Sequence, residues 1–373
     1  MTVLLGIELA GDEALLSVVD RRGAMEAWCN EPLTAPAGDW TAIHPEERVR
    51  AVVQLLERGM REGLLHGGNI AGIGLAAEPG WVFLDHELKA IPPRDLQWPD
   101  VLAAIPDATP AAQLAALVEK DPTLPRKVRV VFSTLDYLRF RLTGALATSV
   151  SFAWWSGLLS PELPTEWDAA AVAAAGFTTD ALPPILPASE RVGTVQGEIS
   201  TQCGFPAGVW VHAGADPVSS ALLFAADPDE ERAVCEIDES GVVPWRFGEA
   251  PQQSPGSGGA DALPTAVSGV WLHRVDDAGW SDPRTVAEWY PRGEQPPVVT
   301  FREDLELERW PAAALADGVG VASDAGGPSV GVALQAGLGL GWWRDRRVLW
   351  RKHLFPFAPA EWLALNQSPG ASS

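Results

Sequence analysis

Short apolar runs broken by turn-forming residues open the chain. Val3 to Leu9 is almost wholly apolar and ends at Ala10-Gly11-Asp12; Ala14 to Val19 resumes it, and Asp20-Arg21-Arg22-Gly23 turns it again into Ala24 to Cys29. This pattern predicts a three-stranded meander. Pro45, with Glu46 and Glu47 behind it, predicts a helix start, since proline suits the first helical position and acids suit the first turn. Val49, Val52, Val53, Leu56, Met60 and Leu64 recur at spacings of three and four and so share one face. Ile70 to Leu75 and Trp81 to Leu84 read as buried strands, giving β-β-β-α-β.

Residues 101–160 read as mostly helical, with Leu135, Leu138, Phe140 and Leu142 beside a charged face in Thr134 to Leu142. Residues 161–196, rich in Pro, Ala and Gly, read as loops around an Ala-rich helix near Asp168 to Ala175. Gly208 to Gly214 is a strand running into Asp216-Pro217-Val218, where a helix through Leu223 begins. A strand emptying into a helix start is a place where chemistry can sit. Beyond the acidic stretch Asp227 to Glu231, Ala233 to Ile237, a turn at Asp238-Glu239-Ser240-Gly241 and Val242 to Phe247 echo the opening strand and turn as a weak internal repeat. Pro251 to Pro264 has the composition of a flexible loop. Ala312 to Leu315 and Ser329 to Leu338 read as helical, and a Trp-rich basic stretch runs from Trp342 to His353.

The 373 residues suffice for two or three domains, and 47% hydrophobic with 20% charged residues is a globular composition. The net charge of −22 opposes nucleic acid as a partner. Cys29, Cys203 and Cys235 show neither disulfide nor metal spacing, which suits a reducing cytoplasm. Glu8 interrupts the first apolar run before a secretory leader could form, and no window is long and apolar enough for a membrane span. The six histidines lack HxxxH or HExxH spacing, so no metal site is expected.

Asp216 stands after a glycine at a strand end and before a proline. There its carboxylate can act as a general base toward a hydroxyl, or simply cap the following helix. The turns at Glu8 to Asp12 and at Asp238 to Gly241 can wrap phosphate with backbone N–H groups, or serve as ordinary hairpin turns. Among 17 tryptophans, Trp98, Trp154, Trp155, Trp342 and Trp343 are candidate sugar platforms, although tryptophan more commonly fills cores and interfaces.

Read in order, these segments resemble the FGGY family of carbohydrate kinases, its xylulokinase branch in particular. The resembling pieces are Leu4 to Glu8, Ile70 to Leu75 with Val82 to Asp85, Trp98-Pro99-Asp100, Asp136-Tyr137-Leu138-Arg139-Phe140-Arg141-Leu142-Thr143-Gly144, Trp167-Asp168, Leu182 to Ile185, Val192 to Val195 and Gly208 to Ser220. Leu315 to Gly320 and Gly331 to Leu334 resemble the family's closing helices. The resemblance implies an α/β fold of two actin-like, ribonuclease-H-like domains around a cleft. Residues 1–226 would form the N-terminal sugar-binding domain and residues 227–373 a shortened ATPase-type domain.

It implies further that Asp216 is the base, that Trp98 and Asp100 lie near the sugar, and that Ser240 and Gly241 belong to a phosphate loop for ATP and Mg²⁺. The partner expected is a small-molecule sugar, with a homo-oligomer left open. The sequence departs from the family at its phosphate loops: Glu8 and Ala10-Gly11 stand for an Asp and Gly-Thr, and Asp238-Glu239 stand for the Gly-Thr of Gly-Thr-Ser-Gly. Ala77-Glu78-Pro79 replaces a Gln-Met-His in the sugar segment. Two functions therefore remain: an ATP-dependent kinase of a pentulose such as xylulose, and a catalytically inactive sugar-kinase-like module that binds a ligand or partner.

Overall fold

The computed structural model describes residues 2–11, 13–33, 43–96, 98–105, 108–223, 233–238, 241–248, 262–265, 271–274, 298–301, 320–322 and 327–343. The expected meander is present as β1 (Val3–Ala10), β2 (Glu13–Val19) and β3 (Met25–Pro32), paired antiparallel in sequence. Helix α1 (Pro45–Arg61) follows, with His44 as its N-cap: Glu46 N donates to His44 Nδ1 at 3.1 Å. Its apolar stripe is buried over β2 and β3. The chain then enters β4 (Ile70–Ala77), parallel to β1, and β5 (Trp81–Leu84).

Among the described residues five helices lie in the region read as helical: α2 (Trp98–Ala104), α3 (Pro110–Lys120), α4 (Leu124–Lys127), α5 (Thr134–Thr143) and α6 (Val150–Trp155). A strand missing from the helical reading, β6 (Val130–Ser133), pairs antiparallel with β5 and leads straight into α5. After β7 (Thr148–Ser149) come α6 (Val150–Trp155), α7 (Ala169–Ala174) capped by Asp168, β8 (Ile185–Leu186), β9 (Arg191–Thr194) and α8 (Gly197–Gln202). Finally β10 (Trp210–His212) joins β4 in parallel, and α9 (Pro217–Leu223) departs from it. The first sheet has the order β3-β2-β1-β4-β10-β9.

A second six-stranded sheet comprises β11 (Ala233–Asp238), β12 (Gly241–Gly248), β13 (Ala262–Pro264), β14 (Trp271–Arg274), β15 (Val298–Phe301) and β16 (Gly320–Ala322), in the order β13-β14-β12-β11-β15-β16. Without β13 its pairing repeats that of β3-β2-β1-β4-β10: a meander, then two strands parallel to its first member. The echo between Val3–Ala10 and Ala233–Asp238 is therefore architectural. The stretches 251–261, 312–315 and 344–373, with the expectations attached to them, lie outside the described residues.

Helix α10 (Gly327–Gly339), inside the range expected as the second domain, packs on β1, β2, β4 and α9 of the first sheet. The approach is too close for side chains. A Cβ on Gly6 would lie 1.6 Å from the Ser329 carbonyl oxygen, one on Gly74 1.9 Å from that of Val332, and one on Gly331 2.0 Å from that of Ser220. Ser17 Oγ and Ser329 Oγ share a hydrogen bond of 2.7 Å across the same seam. With α1 and α5 on the opposite face, the central parallel strands are covered on both sides, so their apolar runs are nearly continuous rather than alternating.

The seam predicts a contrast between two glycines. Gly74→Ala forces backbone apart and should lower unfolding stability in urea by about 3 kcal/mol, the upper part of the overpacking range. Gly68→Ala meets open space and should stay within about 0.5 kcal/mol of wild type.

Candidate functional site

Three parallel strands, β1, β4 and β10, end at one edge of the first sheet, where ligands characteristically sit in open α/β sheets. Glu8 lies opposite Ala76 in the β1–β4 register, and Ala76 bridges to Ala215 beyond β10. These three form one row across the sheet. Glu8 is buried near the end of β1, Glu78 is exposed just past β4, and Asp216 is partly buried just past β10.

The turn that presents Asp216 depends on Gly214. Its φ is +78°, and a Cβ there would come within 2.2 Å of the Leu75 carbonyl oxygen. The loop is tied down along its length: Ala213 N donates to Glu190 O at 2.9 Å, Gly214 N to Ala188 O at 2.8 Å and Ala215 N to Leu75 O at 3.1 Å. Ser219 N donates to Asp216 Oδ1 at 2.8 Å and Ser219 Oγ to Oδ2 at 2.5 Å, and the Ser151 hydroxyl of α6 lies near enough to favour the ionised carboxylate. Asp216 thus has the capping geometry anticipated for it. Burial, the largest influence, pushes its carboxyl above the usual aspartate value, against the downward pull of Ser219 and Ser151.

Helix α10 runs antiparallel to β1 and β4, since Ser329 lies over Gly6 and Val332 over Gly74, whereas Gly337 reaches Leu4 and Leu340 reaches Gly72. Its N-terminus therefore faces the same sheet edge as Glu8, and the partial positive charge of that end favours anions there. Across the edge, Arg48 of α1 is half-buried beside Glu78. Burial lowers the Arg48 pKa while the Glu78 charge raises it. Among the described residues no three His, Cys, Asp or Glu side chains converge to hold a metal.

The remaining candidates lie elsewhere. Trp98 begins α2 and is only 7% exposed, its ring edge-on to Phe83 at 6.4 Å inside an apolar cluster with Trp81, Val101 and Phe177. Asp100, two residues on, is mostly exposed, with Lys120 Nζ at 4.0 Å. No described contact brings either residue to Asp216. Trp154 is buried in a small cluster with Leu159 and Ile185. Gly241 starts β12 opposite Asp238 of β11, while Ser240 lies outside the described residues. Ser151, some 65 residues from Asp216 in sequence, carried no signal as a site residue; the Ser219 cap was readable from the Asp-Pro-Val-Ser spacing.

Residues 101–223 match the model of the FGGY family of carbohydrate kinases, N-terminal domain. The chain is similar to a xylulose kinase of Bacillus subtilis (strain 168), 23% identical over 267 residues that make up 65% of this chain and 53% of that protein. A xylulose kinase of Klebsiella pneumoniae is 26% identical over 263 residues, 64% and 53% of the two chains. The chain spans about half the length of these curated relatives. Among solved structures, gluconate kinase from Lactobacillus acidophilus superimposes with a TM-score of 0.70 at 14% identity, covering 98% of this chain and 99% of that one. Ligand-bound xylulose kinase from the same organism gives 0.69 at 13%, covering 99% of each. The fold is thus the two-domain actin-like architecture of FGGY sugar kinases, and the chain is xylulokinase-like.

The raised Asp216 carboxyl sets a pH dependence whose sign is fixed. A carboxyl that binds its proton more tightly when folded than at its ordinary value of 3.8 favours folding at low pH and loses that contribution as pH rises through the folded value. Asp216→Asn keeps a capping side chain and removes the titration. In urea unfolding from pH 3 to pH 8, the variant should gain stability relative to wild type as pH rises and then level off. A difference independent of pH would contradict the shift.

Proposed function

We propose that the protein is an ATP-dependent kinase of a pentulose such as xylulose, with Asp216 as the general base. The observation that carries this reading is the setting of Asp216: a carboxylate at the open edge of three parallel strands, held by Ser219 and Ser151 and raised by burial toward the range useful to a base. The sugar comes from the xylulose kinases the chain resembles. In the step itself, the carboxylate takes the proton of the sugar hydroxyl, whose oxygen bonds to the γ-phosphorus of ATP as the bond to the β–γ bridging oxygen breaks and ADP leaves.

Such a transfer rests on positioning and charge stabilisation more than on covalent help. Carboxylate oxygens suit Mg²⁺, and the buried Glu8 at the end of β1 is the residue that would meet the ion. When bound, Mg²⁺ neutralises phosphate charge. The N-terminus of α10 adds a fixed positive potential at the same edge. The nucleotide side belongs in this reading to the second sheet, where Ser240 and Gly241 follow β11 as the turn residues follow β1. The reaction is assigned to the cytoplasm, with neither nucleic acid nor membrane as a partner.

A second reading, a catalytically inactive module that binds a ligand or a partner, is favoured by one feature. Where the resembled kinases have Gly-Thr after the strands matching β1 and β11, this chain has Ala10-Gly11 after Glu8 and the acids Asp238-Glu239 at the end of β11, so hydroxyl and glycine N–H donors are lost. Loss of one preorganised donor costs on the order of 10²–10³ in rate. Release of ADP in a coupled assay with a panel of pentuloses separates the two. The kinase reading expects sugar-dependent turnover that falls on the order of 10³-fold in Asp216→Asn, within the span of general-base effects. Equal background rates in both proteins with every sugar would leave the second reading standing.

A further inference from the structure

The charged residues on α5 include Asp136 and Arg139, and both are fully buried. Arg139 Nη2 donates to Asp136 Oδ1 at 2.6 Å and to the Ala147 carbonyl at 2.5 Å, and Nη1 donates to the Ala213 carbonyl. Asp136 accepts in turn from Ser133 N at 2.8 Å, closing the α5 capping box, and from Thr148 Oγ1 at 2.8 Å.

These partners are not scattered. Ala213 lies three residues before Asp216, in the loop running from β10 to the capped helix α9. Ala147 and Thr148 lead through Ser149, the N-cap of α6, to Ser151, whose hydroxyl meets Asp216. One buried pair therefore grips both segments that hold Asp216. Its partners also account for why it is buried: a desolvated guanidinium is tolerated where carbonyls and a carboxylate surround it. Arg139 Nε still has no partner, so the arrangement is not the one that maximises hydrogen bonding.

We propose that the Asp136–Arg139 pair is a positioning device for Asp216, setting the register between the β10–α9 loop and the β7–α6 segment so that the carboxylate and the Ser151 hydroxyl meet. Its functional meaning rests on the reading of Asp216 as the base. The pair touches no substrate. It acts through the carbonyls of Ala213 and Ala147 and the hydroxyl of Thr148.

The test uses the full chain with two variants. Asp136→Leu combined with Arg139→Met replaces the pair by apolar side chains of similar bulk, a change buried ion pairs commonly tolerate in stability. Thr148→Val removes one hydroxyl and stands in should the double variant fail to fold. The readouts are amide exchange at Gly214, Ala215 and Ser219 against Ile73 as an internal reference, and the carbon-13 carboxyl titration of Asp216, assigned with Asp216→Asn. Exchange at the three amides should rise at least tenfold over the reference, and the Asp216 titration should move back toward the ordinary aspartate value as burial is lost, more strongly in the double variant than in Thr148→Val. A folded variant with both readouts at wild-type values would overturn the positioning role. Neither readout depends on turnover, so a protein that transfers no phosphate would sink the kinase reading while leaving this one to be judged. Where wild type turns over, kcat should fall about 100-fold with KM for sugar within about twofold; a matching rise in KM with kcat intact would also overturn it.

Discussion

A guanidinium and a carboxylate buried together on α5 are the constraint around which the first half of the chain is organised. Removing one member of such a pair leaves an uncompensated charge in the interior, at a typical cost of about 3–5 kcal/mol. Besides the bond between its two members, the pair is held by atoms from three separate segments, the β6–α5 turn, the chain entering and starting β7 and the loop after β10. Each of those loops must take one path for the interior to be satisfied. Two of them lead to Asp216, one through the backbone of Ala213 to Gly214 and the other through Thr148 to Ser151.

A second constraint works from the opposite face. Gly6, Gly74 and Gly331 let α10 lie directly against β1, β4 and α9, with no room for a methyl group at any of the three. The contact brings chain from beyond the second sheet back onto the first and turns the N-terminus of α10 toward the edge where Glu8 lies. At a net charge of −22, any anion approaches against the long-range field, and only local positive features could favour one at that edge. The end of α10 is one such feature.

Much of this was legible in residue order. Short apolar runs and turn residues located the β1–β3 meander, proline and acids located the start of α1, and the Gly208–Val218 segment located Asp216 at the end of a strand. The echo near Ala233 foreshadowed the repeated sheet order. Other features were hidden for physical reasons. Val130–Ser133 is a four-residue strand running straight into a helix, too short for periodicity to separate from its surroundings. Asp136 and Arg139 read only as part of a charged face, which normally marks the outside of a helix, and only their partners explain their burial. Trp98 was a candidate sugar platform against the commoner role of tryptophan in cores; here its ring is buried edge-on to Phe83. The glycines of the α10 seam are ordinary in sequence, and their role is visible only once the helix lies on the sheet.

The account depends most on the second sheet holding a nucleotide despite acids in both turns, and calorimetric titration with ATP and Mg²⁺, with and without xylulose, addresses this directly. Saturable heat at up to millimolar nucleotide, with tighter binding when the sugar is present, is the result expected of a cleft that takes both ligands. The absence of heat under every condition, from protein with an intact cooperative unfolding transition, would contradict the kinase account.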